Sequence, residues 1–68
     1  MSTQISMIAA RVDAGLSQKE MAARMGCSNN TVLAWEKGRK APRTNDFQKY
    51  CAICGRDPSE VRMPEVLE

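Results

Sequence analysis

The sequence contains no histidine and only three cysteines among its 68 residues, so it has few side chains that bind zinc. A structural zinc site usually takes four cysteine or histidine ligands, and a single copy of this chain is one short. The odd cysteine count also argues against a disulfide framework. We therefore expect no metal and no cofactor. Cys51 and Cys54 form a C-x-x-C pair within an apolar helical stripe, where thiols act as small core hydrophobes; a redox or shared-metal role is the alternative.

Long apolar runs are also missing, since none approaches the roughly 18 residues of a membrane span. The N-terminus lacks the basic segment and apolar stretch of a secretory signal, so we expect a cytoplasmic protein without membrane contact. Alternating β-branched runs are absent, whereas helix start and stop signals recur at short intervals. These features predict an all-α fold in which residues 1–68 form one compact domain of four to five short helices.

The net charge of +2 hides an asymmetry along the chain. Residues 1–56 carry nine Lys and Arg against four acids, a balance of +5, whereas residues 57–68 carry one Arg against four acids, a balance of −3. A basic body with an acidic tail indicates a polyanionic partner. Without histidine, and without a serine or cysteine beside an evident base, the sequence offers no nucleophilic site and we expect no enzyme.

Helical periodicity predicts which face each helix buries. For a first helix between Thr3 and Ala14, the spacing selects one face made of Ile5, Ile8, Ala9, Val12 and Leu16. The stripes of the next three helices are Met21, Ala22 and Met25, then Val32 and Trp35, then Phe47, Tyr50, Cys51 and Cys54.

Capping residues predict where the second and third helices begin and end. Ser17–Glu20 has the spacing of a capping box, and Gly26 ends the second helix after barely two turns. Ser28 can cap a third helix that ends near Lys37. Two short helices joined by a tight turn form a helix-turn-helix, which we place at residues 17–38.

The remaining helices have weaker signals. Thr44 or Asn45 can cap a fourth helix, which Gly55 closes. Residues 57–60 supply an N-cap, a proline at the first helical position and an acid at the third, so they predict a fifth helix. This helix must be short because Pro64 follows soon after.

The spacing of these residues resembles the Cro/CI-type (lambda-repressor-like, XRE) DNA-binding domain over residues 5–61. The resemblance is carried by Arg11-x-x-x-Gly15-Leu16-Ser17-Gln18-x-x-Met21-Ala22-x-x-Met25-Gly26-Cys27-Ser28, and then by Val32-x-x-Trp35-Glu36-x-Gly38-x-x-x-Pro42. It implies a transcriptional regulator, a repressor similar to compact phage or plasmid regulators. The chain departs from the family at Cys27 and Cys54, where aliphatic residues are usual, and at Arg56, where a small apolar residue is common.

Helix 28–37 is then the candidate for reading base edges in the major groove. Asn29 and Asn30 lie at its N-terminal end, and asparagine can bond bidentately to adenine. Leu33 and Ala34 lie one turn further on, where Leu33 can contact a thymine methyl group. The alternatives are local hydrogen bonding by the asparagines and a core position for Leu33.

Phosphate contacts are expected from Gln18, Ser28, Thr31, Lys37, Arg39, Lys40, Arg43 and Asn45. The resemblance implies that Gln18 clamps the DNA backbone, and a helix N-terminus suits a phosphate. The cations crowd the loop after the reading helix, although a charge run is often only a solvated face. The resemblance also places Arg11 opposite Glu36 as a structural ion pair.

One such module buries little duplex surface, so we expect a homodimer on a palindromic operator with half-sites about 10 base pairs apart. The alternative is a protein-interaction role on the same fold, as the antitoxin of a toxin–antitoxin pair or as a modulator of another repressor. An apolar surface around the C-terminal helix can serve either a partner or the dimer seam. Its candidate residues are Ile53, Val61, Met63, Val66 and Leu67.

Overall fold

The computed structural model describes residues 4–64, in which four α-helices precede one turn of 3-10 helix. The helices are α1 (Met7–Asp13), α2 (Gln18–Met25), α3 (Asn29–Glu36) and α4 (Thr44–Ile53), and the 3-10 turn is Pro58–Glu60. The only β pairing across the described part is an isolated parallel bridge between Ile5 and Val61. The predicted all-α fold is confirmed, and the fifth helix is reduced to the single 3-10 turn.

The first helix begins later than the sequence predicted. Ser6 is its N-cap, and the Ser6 hydroxyl accepts a hydrogen bond from the Ala9 N–H at 3.0 Å. Ile5 is not helical, because its N–H donates to the carbonyl of Glu60 at 3.0 Å in the extended pairing beside Val61. Ile5 therefore packs against the core from outside the helix.

The face that α1 buries also differs from the prediction. Met7 and Ala10 are buried, whereas Ile8 and Val12 are 42% and 61% exposed and Ala9 is exposed as well. The prediction was wrong at Ile8, Ala9 and Val12 because it extended the helical spacing to residues on either side that lie outside the helix. Those two flanking residues, Ile5 and Leu16, do contact the core. With those residues removed, the seven-residue helix turns its other face to the core.

The stripes predicted for the later helices are confirmed, except at Cys54, which is half-buried. The core joins all four helices and the C-terminal segment, and Val61 is only 1% exposed. Val61 is thus a core residue, and its assignment to a partner surface was wrong. Ile53 packs against the core, Met63 is 42% exposed, and residues 66 and 67 lie outside the described part of the chain. The buried members are Met7, Ala10, Leu16, Met21, Ala22, Met25, Val32, Trp35, Phe47, Tyr50, Cys51 and Val61.

The caps around the turn between α2 and α3 follow the prediction. Ser17 and Glu20 form a reciprocal capping box, with hydrogen bonds of 3.0 and 3.1 Å. Gly26 ends α2 with a φ of +74°, a left-handed conformation that strains residues with a Cβ. Ser28 then caps α3 by accepting from the Thr31 N–H at 3.2 Å. The turn therefore has a defined geometry that fixes α3 relative to α2.

The cap of α4 was predicted one or two residues too late. Arg43 has the extended backbone of an N-cap, without a side-chain capping bond, and its carbonyl accepts from the Phe47 N–H at 2.8 Å. Thr44 and Asn45 already lie inside the helix. No helix within residues 4–64 has the length and apolar character needed to cross a membrane.

Candidate nucleic-acid interface

The outer face of α3 is presented to solvent because its opposite face is locked into the core. Val32 is fully buried and Trp35 is 4% exposed, both on the side packed against the other helices. At 100° per residue, the directions furthest from these two belong to Asn30, Leu33, Ala34 and Lys37. These side chains form the outer face of α3, which extends to its C-cap, Lys37.

The two asparagines at the start of α3 are exposed. Neither side chain is hydrogen-bonded to another group within residues 4–64, and Ser28 supplies the helix cap instead. Asn29 and Asn30 therefore keep all their amide donors and acceptors for a ligand. Leu33 and Ala34 are half-buried, with part of each side chain on the outer face.

The structure brings only some of the predicted phosphate contacts together, and Gln18 lies apart from the others, hydrogen-bonded to Glu36. Ser28 and Thr31 lie at the turn, with their hydroxyl oxygens 2.9 Å apart. Lys40 and Arg43 lie in the loop after α3, and together with Thr31 they line a cleft of about 210 Å³. Thr31, Lys40 and Arg43 thus share one cleft, which Asp46 and the core residue Trp35 also line.

The basic loop is held against the end of α3 by its backbone. The N–H groups of Arg39 and Lys40 both donate to the carbonyl of Ala34, at 2.9 and 3.3 Å. Their side chains are exposed, as are those of Lys37 and Asn45. The backbone of Arg39 and Lys40 is therefore fixed against α3, while their charged side chains remain exposed to solvent.

Glu36, the last residue of α3, contacts side chains from the three other α-helices. Its carboxylate accepts from Arg11 Nε at 2.7 Å and Nη2 at 3.2 Å, which is the ion pair expected from the resemblance. Gln18 Nε2 donates to the same group at 3.1 Å, and the Tyr50 hydroxyl lies 2.7 Å from it. The Glu36 side chain is fully buried, so a single carboxylate ties α1, α2, α3 and α4 together.

The protonation of this cluster follows from its contacts. Burial disfavours the charged form of Glu36, but the hydrogen bonds from Arg11, Tyr50 and Gln18 outweigh it and lower the pKa of the carboxyl. The hydrogen bond to Glu36 raises the pKa of Arg11 despite partial burial. Burial, with the Glu36 charge beside it, raises the pKa of Tyr50. The cluster is therefore a charged pair with a neutral tyrosine.

Sequence reasoning missed two members of this cluster. Tyr50 was expected only as a core side chain, although a buried tyrosine hydroxyl usually needs a partner, which was the available signal. The Gln18 bond to Glu36 had no local signal, because the two residues lie 18 positions apart.

The C-x-x-C pair lies in and beside the core. Cys51 is fully buried and Cys54 is half-buried. Burial, with Asp57 nearby, raises the pKa of Cys51, and burial together with Cys51 raises the pKa of Cys54 to about 11. Within residues 4–64, no three His, Cys, Asp or Glu side chains are grouped to hold a metal ion. The geometry thus favours packing over thiol chemistry.

We expect both thiols to react slowly with iodoacetamide at pH 7–8, because the thiolate is the nucleophile and little of it is present. The rate at Cys54 should rise about tenfold per pH unit towards pH 11, as long as circular dichroism shows a folded chain. Mass spectrometry of the alkylated peptides measures this, with urea-unfolded protein as the control. Reaction of the native thiols at the unfolded rate near pH 7 would instead support the redox alternative.

Comparison with known proteins agrees with this geometry. The helix-turn-helix family matches residues 7–61, which include α1 to α4 and the 3-10 turn. A cryptic phage CTXphi transcriptional repressor, RstR from Vibrio cholerae, is 38% identical over 45 residues, or 66% of this chain and 40% of the repressor. The chain therefore spans less than half the length of that relative.

A second relative is matched over most of its length. An uncharacterised helix-turn-helix-type transcriptional regulator from Methanothermobacter thermautotrophicus is 36% identical over 50 residues, which are 74% of this chain and 72% of the regulator. No solved structure matches the chain. The match over residues 7–61, which agrees with the capped turn between α2 and α3, shows that this chain belongs to the XRE-type helix-turn-helix family.

Proposed function

We propose that the chain is a transcriptional repressor that reads a palindromic DNA operator by placing α3 in the major groove. The family and its two relatives support a DNA-binding transcriptional regulator. One observation carries the finer proposal: the free amides of Asn29 and Asn30 project from the exposed start of α3, where reading helices contact bases. Occupying a promoter in this way requires no catalytic step.

Base reading falls to the outer face of α3. Asn29 and Asn30 pair with adenine edges, since asparagine matches the N6 donor and N7 acceptor together. The exposed parts of Leu33 and Ala34 provide apolar contact with thymine methyl groups. The half-buried state of both residues supports a contact limited to the side-chain edge that faces out.

Phosphate binding falls to the residues around that face. Lys37, Arg39, Lys40 and Arg43 supply charge from the loop, and Gln18 supplies an amide at the start of α2. Ser28, Thr31 and Asn45 add neutral contacts beside them. A polyanion crossing this surface would displace counterions, so the affinity should depend steeply on salt.

Two copies on one operator give the affinity that one module lacks. A two-fold dimer would require half-sites about 10 base pairs apart. A palindromic operator with this spacing would therefore indicate that two copies bind as a dimer. Such a regulator acts where the DNA is, in the cytoplasm.

The test of this proposal is a mobility shift and footprint on the DNA that flanks the chain's own gene. We expect a protected palindrome of about 15 to 20 base pairs, bound by two copies. An unprotected flank and no shift at low salt would contradict the proposal and direct the search to a protein partner.

The loop cations give a second quantitative expectation. Each of Arg39→Ala, Lys40→Ala and Arg43→Ala should reduce the slope of log affinity against log salt by about 1, because each removes one neutralised phosphate. Fluorescence anisotropy with a labelled duplex at 50 to 300 mM salt measures the slope. Arg62→Ala, an exposed cation in the C-terminal segment, is the matched control and should leave the slope unchanged. Equal changes of the slope in all four variants would show that the salt dependence reflects the net charge of the protein and not phosphate contacts of the loop.

A further inference from the structure

Asp46 is the one acidic residue among the described residues that line the cleft beside the basic loop. It lies in the first turn of α4 and shares the cleft with Thr31, Lys40 and Arg43. Asp46 is half-buried, whereas Lys40 and Arg43 are exposed. A carboxylate therefore lies among residues that the proposed function assigns to phosphate binding, although like charges repel each other.

The fold does not use the Asp46 carboxylate as a hydrogen-bonding group. Asp46 follows the N-cap Arg43 by three residues, the position from which an acid can bond back to the N-cap N–H. Glu20 and Glu60 make this bond at the starts of α2 and of the 3-10 turn. Asp46 does not make it, and within residues 4–64 it has no ion-pair partner either. Its remaining structural role is a favourable interaction with the dipole of α4.

A neighbouring thiol shows that the charge of Asp46 acts inside the cleft. Cys27 lies in the turn between α2 and α3 and lines the same cleft. Burial, with the Asp46 charge nearby, raises the pKa of Cys27, while Lys49 acts in the opposite direction. A phosphate drawn towards Lys40 would therefore also meet the negative field of Asp46.

We propose that Asp46 limits the affinity for DNA: its charge repels the backbone phosphate that Lys40 and Arg43 attract, and so weakens binding to a duplex of any sequence. The inference rests on the proposed function, because it assumes that these two cations face the DNA backbone. It adds that the base contacts of α3 must supply a larger share of the binding free energy, since the phosphate contacts supply less.

The test compares four proteins: the wild type, Asp46→Asn, Asp46→Glu and Asp13→Asn. Asp46→Asn keeps the shape of the side chain and removes its charge, whereas Asp46→Glu keeps the charge. Asp13→Asn changes the net charge by the same amount on α1, at a residue that is 65% exposed and lies outside the cleft. The probe is a labelled 20-base-pair duplex of mixed sequence, read by anisotropy after circular dichroism has shown that each protein is folded.

We expect Asp46→Asn to bind the duplex about fivefold more tightly than the wild type at 50 mM salt, the size of one exposed charge interaction. The gain should fall to about twofold or less at 150 mM salt, because salt screens charges in contact with solvent. Asp46→Glu should stay within about twofold of the wild type, and Asp13→Asn should change the affinity by less than about 1.5-fold.

Two results would overturn the inference. Equal gains in Asp46→Asn and Asp13→Asn would show that only the net charge of the protein acts. Equal gains in Asp46→Asn and Asp46→Glu would show that the packing of the side chain acts and not its charge.

The remaining outcomes separate the inference from the proposed function. If the wild type binds the duplex and Asp46→Asn binds it equally well at both salt concentrations, the inference fails and the proposed function stands. If none of the four proteins binds the duplex, both fail.

Discussion

Replacing Glu36 with leucine while Arg11 remains should lower the free energy of unfolding by about 3 to 5 kcal/mol. The reason is that Arg11, whose side chain is only 11% exposed, would keep its charge without its bidentate partner. A chain of this size has about 3 to 10 kcal/mol of total stability, so the change removes much of it. Urea unfolding followed by circular dichroism measures the loss, which should also lower Tm by more than about 12 °C.

Two controls show whether the buried charge causes this effect. Arg11→Met/Glu36→Leu should recover most of the stability, because no buried charge is left unpaired. Asp13→Ala breaks an ion pair with Arg56 in which Asp13 is 65% exposed, and it should cost less than about 1 kcal/mol. A small loss in Glu36→Leu, or no recovery in the double variant, would contradict a structural role for the pair.

The same pair gives the wild type a specific response to acid. The pKa of Glu36 is lowered below its ordinary value of 4.5, so its ionised form stabilises the fold above that pH. This contribution is lost as the pH falls through the lowered pKa. The double variant lacks the carboxyl and should lose less stability over the same range.

The double substitution Asn29→Ala/Asn30→Ala should weaken operator binding by about 100-fold or more, because each bidentate base contact contributes about 1 to 3 kcal/mol. Binding to a scrambled duplex should change less than about twofold, since phosphate contacts carry no sequence information. Both residues are exposed, so stability should change by less than about 0.5 kcal/mol. Anisotropy titrations with both duplexes at one salt concentration measure the two affinities.

Gln4→Ala removes an exposed side-chain amide in the N-terminal segment and serves as the matched control. It should leave the affinities for both duplexes unchanged. Equal loss on operator and scrambled DNA in the asparagine variant would mean that these residues contact the backbone. No loss on either would mean that α3 does not read bases through them.

Most of the helix-turn-helix was predictable because local signals agreed with each other. At α2 and α3 the capping serines, the ending glycine and the apolar spacing all give the same boundaries. At α1 they disagreed: the apolar spacing continued through Ile5, while the cap lay at Ser6. The helix begins after its cap at Ser6, because the backbone of Ile5 is hydrogen-bonded to Glu60 and Arg62, more than 50 residues away in the sequence.

The exposure of the candidate DNA-contacting residues was predictable from the sequence, but the hydrogen-bond network at Glu36 was not. The asparagines and loop cations were expected at the surface because they lie at the start of α3 and in the loop after it, and they are exposed there. The bonds from Gln18 and Tyr50 to Glu36 do not, because they join residues 18 and 14 positions apart on different helices. Such contacts depend on how the helices pack, which spacing within one helix cannot give.

The most direct test of the account is the ratio of affinities of the wild type for the footprinted palindrome and for a scrambled duplex of equal length. Measured at 150 mM salt, the operator should bind at least about 1,000-fold more tightly, as a sequence-reading repressor requires. Equal affinity for the two duplexes, or no duplex binding at any salt, would contradict the claim that α3 reads DNA sequence.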